Sequence, residues 1–313
     1  MIRVFIDGSS GTTGLKIRER LANRNDIELL EVPYEARHEI PVRREAAEQS
    51  DCVFLCLPDE AAKEIAAVID PKGPVIIDTS TAHRTDEAWV YGMAELKGQR
   101  EKIASAKRIA NPGCHASGFI ALIAPLIAGG ILKPDVQLEC LSLTGYSGGG
   151  KKMIAQYEEK NRDPLLSAPR LYGLSQSHKH LPEMVKLCHL EKAPAFMPVV
   201  ADFYSGMETV IPLFENQVTG TMEDICSIYA SLYPKGMINL RRGCDESGFL
   251  SASAFAGRDD MEISVSGNAE RILLTARFDN LGKGASGAAI QNMNIAMGLA
   301  EDTGLVTGKE LHG

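Results

Sequence analysis

Through residues 1–110, short apolar runs alternate with segments that are apolar on a helical period. IRVFID (2–7), IELLEV (27–32), CVFLCL (52–57) and VIID (75–78) are compact and apolar, and read as buried strands. Between them, LKIRERLA (15–22) and DEAAKEIAAVI (59–69) space their apolar residues three and four apart, which puts them on one helix face. Strands separated by helices predict βαβ units and a parallel sheet. After residue 110 the texture changes. VQLECLSLTGY (136–146), VVADFY (199–204) and METVIPLF (207–214) read as long strands. MEISVSGNAERILLTARFDN (261–280) reads as a hairpin turning near Gly267-Asn268. TMEDICSIYASLY (221–233) reads as a helix, and ASGAAIQNMNIAMGLA (285–300) as another that returns to the first domain. The expected architecture is an α/β domain followed by an α+β domain with a largely antiparallel or mixed sheet. No internal repeat or low-complexity segment interrupts it.

A length of 313 residues suits about two domains. Hydrophobic content of 44% and charged content of 24% are ordinary for a globular chain. The formal net charge of −8 argues against nucleic acid as a partner, because phosphate binding needs clustered Lys and Arg. The most apolar stretch, 118–132, is broken by Pro125 and by Gly129-Gly130 and is too short to span a bilayer. The N-terminus reads directly as a strand, so no signal peptide is expected. The seven cysteines are odd in number, irregularly spaced and without a CxxC pair, which fits a reducing cytoplasm and no disulfide or metal site. Cys52 and Cys56 sit in an apolar run and read as small core residues.

Chemistry enters first at GSSGTTG (8–14), between the first strand and the first helix. Gly8, Gly11 and Gly14 let the backbone turn tightly and approach a pyrophosphate. Ser10, Thr12 and Thr13 line the same corner, where a helix N-terminus offers free N–H groups. The spacing is GxxGxxG, not the commoner GxGxxG. Glu31 lies where an acid binding the ribose 2′-hydroxyl of NAD is expected, and Arg37 lies where it meets the 2′-phosphate of NADP. The residues alone leave that choice open.

A second corner holds a thiol. RIA (108–110) ends, Asn111-Pro112-Gly113 turn, and Cys114 opens an apolar helix. A thiol in a first helical turn feels the helix dipole and local N–H groups, which favour the thiolate. The same N–H groups suit an oxyanion. A thiol with a nicotinamide suggests thioester formation followed by hydride transfer, and needs a nearby acid/base, usually His. His178 and His180, in SQSHKHLPEM, stand just before a helix start marked by Pro182 and Glu183. His38, His83, His115, His189 and His312 read as surface or satisfied core residues. Two further turns suit anions through backbone N–H groups and a positive side chain. They are IDTSTAHR, with Ser80 and Arg84, and GYSGGGKK, with Ser147, Gly148 and Lys151.

Taken in order, GSSGTTG, IDTSTAHR, YGMAEL (91–96), ANPGC (110–114), GYSGGGK (145–151), HKHLPE (178–183) and DNLGKGASGAAIQNMN (279–294) resemble the N-acetyl-γ-glutamyl-phosphate reductase family, in its shorter variety. A wider kinship with aspartate-semialdehyde and glyceraldehyde-phosphate dehydrogenases is implied. The resemblance implies a Rossmann-type NADP-binding domain at 1–113 and 285–313, with a glyceraldehyde-phosphate dehydrogenase-like catalytic and dimerisation domain at 114–284. It implies NADPH as cofactor and Cys114 as nucleophile. His178 is the favoured acid/base, with His180 a substrate contact or the true base. Arg84 is the implied phosphate holder, and Asn292 the residue near the nicotinamide. It also implies a small acyl-phosphate substrate and a homotetramer built from dimers. His115 and Gly149 depart from the residues expected beside the thiol and in the glycine turn. The alternatives are an aspartyl- or lysine-pathway acyl-phosphate reductase, against whose aspartyl form HKHLPE argues, and a non-catalytic dinucleotide-binding sensor.

Overall fold

The computed structural model describes residues 1–234, 236–243 and 246–308. Cys244 and His312 therefore lie outside the described residues. The chain divides into two compact units. The first comprises Met1–Ala94, Gly98–Pro112 and Ala285–Leu305. The second comprises Glu95–Lys97, Gly113–Gly284 and residues 306–308.

In the first unit, β1 (Ile2–Asp7), β2 (Ile27–Leu30), β3 (Cys52–Leu55), β4 (Val75–Asp78), β5 (Val90–Tyr91) and β6 (Arg108–Ala110) form one parallel sheet. The order is β2-β1-β3-β4-β6-β5, so the chain reverses direction across the sheet beside β1. The helices are α1 (Thr12–Leu21), α2 (Ile40–Glu48), α3 (Asp59–Val68) and α4 (Gln99–Ser105). The central strands are buried on both faces, as their unbroken apolar runs require: every residue of β3 and β4 is buried. One part of the core joins Phe5, Val53, Leu55 and Ile76 to Ala62 and Ile65 of α3. The late helix, Gly287–Ala296, packs on α1, α4 and β4.

In the second unit, α5 (Cys114–Ala128) precedes β7 (Glu139–Gly145) and α6 (Gly150–Glu158). Then come β8 (Arg170–Leu171), α7 (Leu181–Cys188), β9 (Ala195–Ala201), β10 (Met207–Phe214) and α8 (Met222–Leu232). The unit closes with β11 (Ile238–Leu240), β12 (Met261–Gly267) and β13 (Arg271–Phe278); the late helix of the first unit is α9. The sheet order is β11-β12-β13-β10-β7-β9-β8. It is mixed: β7–β9 and β11–β12 pair in parallel, and the other neighbours are antiparallel. One face is covered by α5 and α8. There α5 lies close because residue 118 is glycine: a Cβ would stand 2.5 Å from Thr209 Oγ1. On the other face, strand register aligns Met197, Leu141 and Val210 in one row and Pro212 with Leu273 in another. These side chains remain partly or fully exposed.

The hairpin, METVIPLF and the βα alternation match the expected pattern. Helices α2, α4 and α6 were not anticipated, because each is short and, in α6, begins inside a glycine turn. Residues 306–308 fall in the second unit although the sequence grouped them with the first. Asp259 explains this: its N–H donates to Val306 O at 2.7 Å, and its Oδ2 accepts from Val306 N at 2.8 Å. Glu95 likewise leaves the surrounding nucleotide-domain chain, held by a buried 2.5 Å ion pair to Lys283 Nζ.

Candidate active site

In the first unit, the turn after β1 is built for close backbone approach. Gly8 has φ +83°, and a Cβ there would lie 2.3 Å from Cys56 O. A Cβ at Gly14 would lie 2.5 Å from Gly8 O. Gly11 caps α1 without a side-chain acceptor, so no side chain occupies the place an anion takes at the Thr12-Thr13 end. Beside this turn opens a cavity of about 740 Å3, lined among others by Gly8, Ser10, Glu31, Arg37 and His38. Glu31 is ion-paired with Arg18. Arg37 lies 3.6 Å from the centre of the Tyr34 ring and donates to Tyr34 O at 2.5 Å. Deeper, Asp7 and Arg43 form a buried pair at 2.7 Å. Burial raises the Asp7 carboxyl above its usual range, and Arg43 opposes that shift without cancelling it.

The IDTSTAHR segment folds on itself. Ser80 Oγ donates to Asp78 Oδ2 at 2.7 Å, and His83 Nδ1 meets the same oxygen at 2.7 Å. The His83 ring stacks on Trp89 at 4.0 Å. Arg84 is buried, and its Nε and Nη2 donate to Asn111 O and Thr79 O, each at 3.0 Å. Ser80 and Arg84 thus also brace the ends of β4 and β6. Asn292 is buried on α9. Its Nδ2 donates to Gly92 O at 2.9 Å and to Asn111 Oδ1 at 3.1 Å, while its Oδ1 is buried with no hydrogen-bond partner among the described residues.

In the second unit, Cys114 is the first residue of α5 and is partly exposed. Cys52, Cys140 and Cys188 are buried, and burial is the main cause that pushes each thiol far up. Gly113 caps α5 without a side-chain acceptor, and its N–H donates to the buried carboxylate of Glu183 at 3.2 Å. Behind the thiol, a turn of π-helix, Gly282–Ser286, brings Gly284 in close: a Cβ there would stand 2.9 Å from Cys114 Cβ.

Three imidazoles gather next to Cys114. His178 and His180 have ring centres 4.7 Å apart, and His115 lies 5.6 and 5.7 Å from them. The His180 N–H donates to His178 Nδ1 at 3.2 Å. A neutral His178 therefore carries its proton on Nε2. His180 caps α7, whose first turn contains Pro182. His115 is buried, with Nδ1 2.7 Å from Ser142 Oγ and Nε2 2.7 Å from the Tyr172 hydroxyl. Desolvation, with His178 adding to it, holds its pKa down to about 3. A neutral ring has one donor and one acceptor, which these two hydroxyls match.

The second anion turn is only partly open. Ser147 Oγ is buried and accepts from Asn280 Nδ2 at 3.0 Å, whereas Gly148 and Lys151 are exposed. Three residues beside the thiol escaped the sequence reading as site residues. They are His115, classed with the bland histidines, Tyr172 and Glu183. The adjacency of His115 to Cys114 was the one available signal. Tyr172 reaches the site from β8, and no periodicity announces that.

Residues 3–106 match the family model described as semialdehyde dehydrogenase, NAD binding domain. Residues 114–280 match semialdehyde dehydrogenase, dimerisation domain. A chain from Brucella ovis named N-acetyl-gamma-glutamyl-phosphate reductase is 42% identical over 306 residues, 95% of this chain and 99% of its own length. The chain belongs to the N-acetyl-γ-glutamyl-phosphate reductase family. The Brucella canis member of that family is equally similar, at 42% over the same coverage. This makes the protein an oxidoreductase with a nicotinamide-dinucleotide domain, within the wider semialdehyde dehydrogenase group. Solved structures share the fold at lower identity. Aspartate semialdehyde dehydrogenase II from Vibrio cholerae has a TM-score of 0.70 at 16% identity, covering 95% of this chain and 98% of its own. Aspartate semialdehyde dehydrogenase from Candida albicans, solved with NADP, has a TM-score of 0.68 at 14% identity, covering 95% and 99%.

Proposed function

We propose that this chain reduces N-acetyl-γ-glutamyl phosphate to N-acetylglutamate 5-semialdehyde, with release of phosphate, in arginine biosynthesis, through a thioester on Cys114. The observation that carries the reading is a partly exposed thiol on the uncapped first turn of α5, grouped with His178 and His180. Cys114 Sγ attacks the acyl carbon, the carbon–oxygen bond to phosphate breaks, and phosphate departs with the bonding pair. When bound, the reduced nicotinamide supplies a hydride to the thioester carbon. The resulting thiohemiacetal oxygen gains negative charge, which Nε2–H of His178 and the α5 N–H groups stabilise. Collapse reforms the carbonyl, breaks the carbon–sulfur bond and returns Cys114 as thiolate. His178 is preferred over His180 as acid/base because the His180 N–H fixes its tautomer, while His180 is buried at the α7 cap.

The cofactor is assigned as NADP(H). Glu31 already has its charge offset by Arg18, whereas Arg37 faces a tyrosine ring and a carbonyl and retains donors for a 2′-phosphate. Gly8, Ser10, Gly11, Thr12, Thr13 and Gly14 would hold the pyrophosphate. Ser80 and Arg84 are kept as phosphate-side residues because their segment joins β4 to the turn before Cys114. The apolar rows on the open face of the second sheet suit packing against a second copy, and a dimer of such dimers gives the tetramer. The free thiols fit a cytoplasmic enzyme.

The test runs in reverse: NADP+ reduction with N-acetylglutamate semialdehyde should require inorganic phosphate. Activity with aspartate semialdehyde instead would favour the aspartyl enzyme, and no turnover with either would favour a sensor. Cys114→Ser should abolish turnover while NADPH still binds.

A further inference from the structure

Part-buried arginines in this protein are mostly neutralised by what they touch. Arg24, Arg43, Arg162, Arg258 and Arg277 each face a carboxylate. Arg84 and Arg108 each bind backbone carbonyls. Arg170 differs. It donates one hydrogen bond, from Nη2 to the Tyr157 hydroxyl at 3.0 Å, and its guanidinium lies 5.4 Å from the centre of that ring. Its Nε is buried with no hydrogen-bond partner among the described residues. A guanidinium held on an aromatic face, with spare donors and no counter-ion among the described residues, is arranged for an anion that arrives from outside.

Its position says which anion. Arg170 starts β8, and side chains two apart on a strand share a face. The ladder continues past Leu171, because Tyr172 N donates to Pro198 O at 3.0 Å. Arg170 and Tyr172 therefore point the same way, while Leu171 faces out and is exposed. Tyr172 is the residue bonded to His115, next to the thiol. Tyr157, under the guanidinium, stacks at 4.7 Å on Tyr146, which opens the GYSGGGK turn. Arg170 is thus the cation behind that turn, in the place the sequence had given to exposed Lys151. We infer that Arg170 binds the α-carboxylate of the acyl substrate and makes the enzyme selective for an N-acyl amino acid over the same chain without its carboxylate. The inference rests on the reaction proposed above.

The experiment compares N-acetylglutamate semialdehyde with 4-acetamidobutanal, which lacks only that carboxylate, in the phosphate-dependent reverse assay with NADP+. Wild-type enzyme should prefer the carboxylate-bearing aldehyde. Losing a charge-assisted bidentate contact in Arg170→Met should cut kcat/KM for it about ten- to hundredfold, mainly through KM. The rate with 4-acetamidobutanal and the KM for phosphate should stay unchanged. Arg170→Lys should recover part of the preference. Equal loss with both aldehydes would show a packing role and overturn the inference. A rise in phosphate KM alone would move Arg170 to the leaving group and also overturn it. If wild-type enzyme oxidises neither aldehyde, the reaction itself is wrong; if it oxidises both equally well, only the carboxylate contact is wrong.

Discussion

Gly284→Ala tests how tightly the nucleophile is seated. The added methyl would stand 2.9 Å from Cys114 Cβ, 3.2 Å from Asp279 O and 3.3 Å from the Phe278 ring. Carbon atoms in contact prefer about 3.5–4.0 Å, so the thiol-bearing carbon or the π-helical turn must move by roughly 0.6–1.1 Å. Rotation cannot relieve this, because Cβ is fixed by the backbone at the start of α5. Misplacing a reacting group by about 1 Å costs on the order of a hundredfold in rate. Overpacking of this kind costs about 1–3 kcal/mol of stability. At about 2–4 °C per kcal/mol for a unit of this size, Tm should fall by several degrees. The assays are kcat/KM in the reverse reaction, the rate of Cys114 alkylation, and thermal unfolding. A Gly284→Ala enzyme with wild-type kcat/KM and wild-type Tm would refute the claim that residue 284 is glycine to make room for the thiol.

Two further outcomes follow from the same geometry. Arg37→Ala should raise KM for NADPH about ten- to a hundredfold and leave that for NADH nearly unchanged, read from steady-state kinetics with both cofactors; equal changes would remove Arg37 from the 2′-phosphate. His115 is neutral in the fold down to about pH 3, whereas in the unfolded chain it binds a proton below about pH 6.5. The unfolded state therefore holds more protons between those values, and stability falls as pH drops. His115→Phe should remove about 1.4 kcal/mol per pH unit from the acid slope of the unfolding free energy below pH 6. Unchanged slopes in urea unfolding at pH 4–6 would contradict the buried neutral ring.

The sequence showed most of the scaffold because its strands are legible as apolar runs. Those of the first sheet are continuous apolar runs, as burial on both faces demands. METVIPLF reads as a strand by its apolar run; its one covered face appears only in the fold, where Met207, Thr209, Ile211 and Leu213 are buried and Val210 faces the other way. The glycine turn was readable because Gly8 and Gly14 have no room for a side chain. What stayed hidden depends on distant chain segments. His115 looked bland because nothing local shows that Ser142 and Tyr172, 27 and 57 residues away, satisfy its two nitrogens. Arg84 looked like a free cation because its carbonyl partners appear only when β4 and β6 pair. Lys151 drew attention by sitting beside a glycine turn, whereas nothing local to Arg170 shows that it lies over the Tyr157 ring, which stacks on Tyr146 of that turn.

The central claim is that the acyl group passes through a covalent bond to one sulfur. The direct measurement is to mix enzyme with N-acetyl-γ-glutamyl phosphate without NADPH, quench in acid, and follow phosphate release and peptide masses. A phosphate burst matching the enzyme concentration, with an N-acetylglutamyl adduct on the peptide containing Cys114 that disappears on adding NADPH, is the predicted result. Turnover at normal rates with no burst and no adduct on Cys114 would contradict it.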